Sequence, residues 1–166
     1  DVLGVRTDLY QPVSYSGRYF VVPQFTVRRE RDETSLATGE RVVATSDFVG
    51  GQVDLGLQLA NAFELRGGAL IGSYHGRTDI GTTPLDASAD VGAWVGTFNY
   101  DRIDNYSFPR SGTLVRAKYT ASRAQLGADS EYDRFDATLV RPFSFRSNTF
   151  ILVSKLGLDF YTDLPW

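Results

Sequence analysis

Few residues in this chain are of a type and spacing that could carry bond-making chemistry. His75 is the single histidine among 166 residues, and cysteine is absent. A zinc site or an acid–base pair needs partners that the sequence around His75 does not offer, so His75 reads as a strand-end polar residue. No serine stands in a Gly-x-Ser-x-Gly elbow, the turn that presents a hydrolase nucleophile. Gly50-Gly51 and Gly67-Gly68 lack the strand-to-helix context of a phosphate cradle and read as bends or close-packing sites. No catalytic, cofactor-binding or metal-ligating residue is therefore expected. Acidic pairs such as Asp101 with Asp104 have a choice of roles: calcium ligands, or acceptors that shape a turn.

What the chain does carry is charge at period two. Arg6, Asp8, Arg28, Glu30, Asp54, Arg66, Arg116, Lys118, Arg134, Asp136, Lys155 and Asp159 each alternate with apolar neighbours. Such a face can pair opposite charges on neighbouring strands and hydrate, or line a path for an unfolded polypeptide.

The elements that would position these charges are strands. In 113–121, Val115, Ala117, Tyr119 and Ala121 share one side and Arg116, Lys118 and Thr120 the other. In 132–140, Phe135, Ala137 and Leu139 oppose Arg134, Asp136 and Thr138, and Arg141-Pro142 is expected to stop the run. A helix would scatter these sets around its axis; only period two separates them. Upstream, 2–10 alternates and should end at Pro12, and 19–30 alternates with Pro23 inside it, which a bulge would accommodate. From Thr45 the chain is extended, and Val53, Leu55, Leu57 and Leu59 oppose Gln52, Asp54, Gly56 and Gln58, the cleanest alternation present. Asn61-Ala62 makes a short return into a strand with Leu65, Gly67, Ala69 and Ile71 on its apolar side. Residues 90–100 are apolar on both sides and cannot be oriented. After a return at 143–148 a last strand carries Phe150, Leu152, Leu156, Leu158 and Phe160 opposite Lys155 and Asp159. Segments 31–40, 77–88 and 122–131 read as long loops. The result is eight strands of roughly 9–12 residues joined by alternately short and long connections, as in a membrane barrel.

Composition narrows the classes. A net charge of −3 gives no nucleic-acid footprint. No apolar run approaches the roughly 20 residues of a membrane helix, although a membrane barrel, half of whose residues avoid lipid, would escape that criterion. Sixteen Gly with 2 Trp, 9 Tyr and 11 Phe favour strands with aromatic girdles over a helical bundle. The absence of Met and of a secretory leader suggests an amino terminus that was processed or cut from something longer.

The turn Asp101-Arg102-Ile103-Asp104-Asn105-Tyr106-Ser107-Phe108-Pro109-Arg110-Ser111-Gly112 is followed by a strand, Glu131-Tyr132, a second strand and Arg141-Pro142. This order resembles the barrel of the BamA/TamA outer-membrane superfamily of bacterial surface antigens. The opening Thr7-Asp8-Leu9-Tyr10-Gln11-Pro12 with Gly17-Arg18-Tyr19-Phe20-Val21-Val22-Pro23 resembles its PlpD-like branch, which carries a patatin lipase passenger. The resemblance implies an all-β fold: an antiparallel transmembrane β-barrel of meander strands in one domain over 1–166. The eight strands would form the middle of a sixteen-stranded barrel that ends at Leu164-Pro165-Trp166 before a lumenal loop. It implies Asp101, Asp104, Phe108, Pro109 and Gly112 as the family's turn, with the two aspartates shaping it. Arg28, Asp54, Arg116, Lys118, Arg134, Asp136, Lys155 and Asp159 would face the lumen. The implied function is insertion or secretion of protein across the bacterial outer membrane. That work needs no enzyme activity, cofactor or nucleic acid; the partners are outer-membrane lipid and a polypeptide passenger, and the oligomeric state is not indicated. Two alternatives from the residues alone are a small closed membrane barrel without a conduit, and a soluble lipocalin-like barrel with its apolar faces inward.

Overall fold

The computed structural model describes residues 1–35, 41–80 and 86–162; Gly81, Pro84 and 164–166 lie outside them. The strands are β1 (Val2–Asp8), β2 (Gln11–Pro12), β3 (Tyr19–Ser35), β4 (Arg41–Leu59), β5 (Phe63–Ile80), β6 (Asp86–Asp101), β7 (Leu114–Ser122), β8 (Tyr132–Phe145) and β9 (Asn148–Thr162). One turn of 3₁₀-helix, Ala124–Leu126, joins β7 to β8, and the described residues contain no α-helix. All nine strands form one antiparallel meander; β1 and β2 both pair with β3, which leaves eight strand positions. β1 and β9 do not pair with each other, so the sheet is open.

The prolines act differently from the sequence expectation. Pro12 does not end the first strand: it lies in β2 opposite Phe20. Pro23 needs no bulge, because Asp8 faces Gln24 and Gln11 faces Val21 in one continuous register. Leu9 donates its N–H to the Pro23 carbonyl at 3.1 Å, but Pro23 has no N–H to return, and that missing bond divides β1 from β2. Nor does Arg141-Pro142 stop β8. Pro142 sits opposite Ile151, where β7 has already ended and one edge of β8 is free.

Strands are longer than expected. β3 to β6 have 17, 19, 18 and 16 residues, so much of the expected loops 31–40 and 77–88 is paired backbone: Arg31 faces Thr45, and Arg77 faces both Thr45 and Asp86. The third expected loop is real, with Arg123, Ala124 and Gly127 closing the 3₁₀ turn. The return after β4 takes three residues, Ala60 to Ala62, one more than expected, and the return after β8 narrows from 143–148 to Arg146 and Ser147. Ala60 and Asn61 carry the positive φ values at one, and Arg146 carries it at the other.

Register assigns the faces. Leu55 pairs with Gly67 and Val21, Ala69 with Val53 and Trp94, and Phe98 with Leu65 and Ala117. This orients β6: Trp94, Phe98 and Tyr100 join the apolar face, and Ala93 and Val95 are buried on the other. The apolar face is largely solvent-accessible, with Leu55 at 67% exposure, whereas Asp54 beside it is 2% exposed. The polar face is the concave one. A single cavity of about 420 Å³ is lined by residues from Arg6 on β1 to Asp136 on β8. In a flat sheet those strands would stand about 29 Å apart at ~4.8 Å per step.

Glycines let this concave face close on bulky neighbours. A Cβ at Gly56 would lie 2.1 Å from the ring of buried Phe20, and one at Gly72 would lie 2.9 Å from the ring of Phe48. Gly56→Leu should therefore cost about 1–3 kcal/mol of overpacking, read as a lower denaturation midpoint. Gly67→Leu, with open space around its Cβ, should cost far less. Equal losses would show that the Phe20–Gly56 contact does not shape the sheet.

Candidate functional site

The Asp101–Gly112 turn is built on side-chain acceptors. Asp101, the last residue of β6, accepts the Ile103 N–H at 3.1 Å and the Tyr106 hydroxyl. Asp104 Oδ1 accepts the backbone N–H groups of Asn105, Arg110 and Ser111 at 3.0, 3.0 and 3.2 Å. Asn105 Oδ1 accepts from Ser107 and Phe108 at 2.8 and 3.2 Å. Both aspartates thus accept hydrogen bonds from the turn itself. Donation by Arg110 and Ser111 holds the Asp104 carboxyl below the usual carboxylate range. Gly112 adopts φ +100°, and a Cβ there would stand 1.8 Å from the Arg102 carbonyl oxygen. Phe108 and Pro109 reach toward the neighbouring hairpin, bordering a cavity with Ser147, Thr149 and Ile151. Ser144 Oγ donates to the Arg110 carbonyl at 2.8 Å and ties the two turns together.

The concave face collects the charges. Arg6 donates to Asp8 at 3.0 Å and to Gln24 at 2.6 Å. Asp54 accepts from Gln24 at 3.0 Å and from Gln52 at 2.8 and 2.9 Å, above Gly68. Glu64 accepts from Arg66 at 2.8 Å and from Asn99 at 3.1 Å, and the Arg66 guanidinium lies 5.3 Å over the Phe20 ring. Arg134 pairs with Asp136 at 3.0 Å, and Arg28 pairs with Glu30.

The ion pairs on this face run along a strand between residues i and i+2, not between neighbouring strands as expected. Residues two apart on one face are about 6.6 Å apart, within reach of an arginine. Links across strands are made by the amides of Gln24 and Asn99. Of the eight residues expected on this face, Asp54, Arg116, Lys118 and Asp136 line the cavity together; Arg28, Arg134, Lys155 and Asp159 share the register but not the cavity. Arg6, Arg66, Gln24, Gln52, Thr97 and Asn99 are among the other lining residues. The sequence reading missed the structural part played by Gln24 and Gln52, although both have the parity of the charged set.

A second ionic group sits on the apolar side, above the last aliphatic residues. Arg29 donates to both Asp47 oxygens at 2.6 and 3.1 Å, and Arg77 lies 3.9 Å from Asp47 and 3.2 Å from Asp79. Thr45 donates to Asp79 at 2.5 Å, and His75 stands 3.5 Å from Asp86. His75 therefore lies within β5, paired with Asp47 and Ser88, and not at the strand end that the sequence suggested.

Comparison with protein-family models and with curated proteins gives no match to this chain. The functional reading rests on its residues and geometry.

Two outcomes test the turn. Gly112→Val combines a positive φ with a steric overlap, and the backbone strain alone is about 1–3 kcal/mol. The heat-modifiable folded fraction should fall well below that of Gly67→Val, and equal fractions would make the turn ordinary punctuation. The second outcome concerns pH. Because the folded-state value of Asp104 is depressed, its contribution is complete above the unfolded carboxylate value and is lost as pH falls through the folded one. Pepsin should cut after Tyr106 only once the medium is more acid than the usual carboxylate range, whereas Asp104→Ala should be cut already in mild acid. Identical cleavage profiles would remove Asp104 from its role.

Proposed function

We propose that this chain is part of the wall of an outer-membrane β-barrel through which, or beside which, a polypeptide passenger crosses or enters the membrane. The observation that carries the reading is the exposed apolar face opposite a concave charged one. Soluble monomers rarely leave large contiguous apolar patches in water; here such residues are presented by strand after strand, from Leu3 and Val5 to Leu156 and Leu158.

The dimensions agree. On β4 the aliphatic stretch from Val49 to Leu59 is about 33 Å long at ~3.3 Å per residue. A tilt of ~40° would make that about 25 Å, the height of a barrel's apolar band. Aromatics gather toward the end with the short returns. Phe63 stands 4.6 Å from Tyr100 and 6.3 Å from Phe98 by ring centroids, and exposed Phe143 faces exposed Phe150. At the other end the Arg29–Asp47–Arg77–Asp79 ladder begins beyond Val27, Val49 and Ile71. An aromatic girdle and a charged rim are what the two interfaces of a bilayer favour.

Two long free edges, β1 and β9, suit a sheet continued by further strands on both sides, as in the sixteen-stranded barrel that the resemblance implies. An uncovered edge of this length would otherwise template aggregation. The inward-apolar lipocalin arrangement fits poorly with apolar residues on the convex side.

The test is accessibility to a lipid-soluble photoreagent in the complete protein reconstituted in bilayers. Val53, Leu55 and Leu156 should be labelled, and Gln52 and Thr138 spared. Leu55→Arg, near the middle of the belt, should cost about 2–4 kcal/mol of folding free energy in the membrane. Labelling of Gln52 and Thr138 instead of the leucines would overturn the reading.

A further inference from the structure

On the concave face, strands carry their own counterions: Arg6 with Asp8 on β1, Arg28 with Glu30 on β3, Glu64 with Arg66 on β5, and Arg134 with Asp136 on β8. β7 breaks the pattern. It presents Arg116 and Lys118 at i and i+2 with no acid on the strand, and neither makes an ion pair or hydrogen bond among the described residues. The acid opposite Lys118 in register is Asp136, which already accepts from Arg134. The other acid of the cavity, Asp54, is engaged by two glutamine amides. Two like charges about 6.6 Å apart on one face disfavour each other unless an anion lies between or beside them.

A second observation falls in the same cavity. Thr97 Oγ1 is enclosed and has no hydrogen-bond partner among the described residues, and Thr97 lies opposite Lys118 in register. A buried hydroxyl left unpaired is costly.

We propose that the β7 cations form a binding site for an acidic segment of an extended polypeptide, whose carboxylates at alternate positions meet Arg116 and Lys118. This rests on the barrel reading above and names the passenger chemistry that its wall would recognise. An extended chain projects one face's side chains at about 6.6 Å intervals, the interval between Arg116 and Lys118 themselves. A compact anion could meet one cation or bridge the pair, but it would not match that repeat. The cavity of about 420 Å³ lies within the usual size range of ligand sites. It is open, as a site on a path must be if its occupant is to leave.

The experiment uses the complete protein in detergent, with its heat-modifiable folded fraction measured first. A fluorescent peptide with glutamates at alternate positions is compared with its glutamine isostere by anisotropy. The glutamate peptide should bind at least about tenfold more tightly than the isostere. Lys118→Gln alone, or Arg116→Gln with Lys118→Gln, should weaken it by about tenfold or more, the usual scale for a charge-assisted hydrogen bond. Lys155→Gln, on the same face but outside the cavity, should leave it unchanged. Equal binding of the two peptides, or variants that bind as well as the parent, would overturn the site while leaving the barrel intact. Inorganic phosphate competing as effectively as the glutamate peptide would also overturn it, since the site would then take any small anion. A protein with no heat-modifiable form would sink the barrel reading itself.

Discussion

An extended chain must send successive side chains to opposite sides of its sheet, and the rest of this structure depends on that constraint. With every ladder antiparallel, and register shifts confined to Val43/Ala44 and Asp133/Arg134, a residue's parity decides whether it meets the outside or the concave groove. A slip of one residue in one strand would put Leu55 in the groove and Asp54 on the apolar surface. The long ladders make such a slip costly. From β3 to β6 each strand is held over 15 or more pairs to its neighbour. The sheet therefore needs no second layer to fix its register.

Curvature follows from side-chain volume on the concave side. Gly56 and Gly68 leave space above which Phe20 and Asp54 lie, and Gly50 and Gly72 do the same for Phe48. Without a Cβ at these places the strands can bend around the bulky groups. The same arrangement keeps the Asp54 carboxylate where two amides can reach it, so packing and electrostatics are solved by the same glycines. On the apolar side Gly67 and Gly96 have no such neighbours; they form the floor of a shallow apolar depression bordered by Leu55, Trp94 and Tyr119.

Much of this was legible because alternation is a one-dimensional signal. Val53, Leu55, Leu57 and Leu59 announced both the strand and its outer face, and the eight strand positions could be counted from such runs. β6 could not be oriented because Ala93 and Val95 are apolar and yet face the groove, where they are buried under the curl instead of being wetted. The outer ends of β3 and β5 and the start of β6 were read as loops because 31–35, 77–79 and 86–88 are mostly polar. Without a run of apolar residues on one side there is no alternation to read, and only backbone pairing reveals the strand. Pro23 misled for a related reason. The sequence shows a missing donor, but only the register shows that the loss falls at the break between β1 and β2.

The two ionic sets differ in what they have to satisfy. On the apolar side the Arg29–Asp47–Arg77–Asp79 ladder joins opposite charges across strands and to a bulged aspartate, which leaves a closed, nearly neutral rim. On the concave side the ion pairs run along β1, β3, β5 and β8, so these strands can be wetted independently of their neighbours, and Asp54 on β4 is held by the amides of Gln24 and Gln52. A wall made that way has little attraction for a passing anion, except where one strand presents cations alone. β7 is that strand, and it is also the shortest of the full-width strands, with 9 residues. It is flanked by the most side-chain-stapled turn of the chain at one end. At the other, a loop is pinned by Arg123 to Asp133 at 2.6 Å and by Ser122 to the Ser130 carbonyl at 2.7 Å. The one uncompensated pair of cations is thus held by a strand anchored at both ends, so its charges stay in place while their counterion comes and goes.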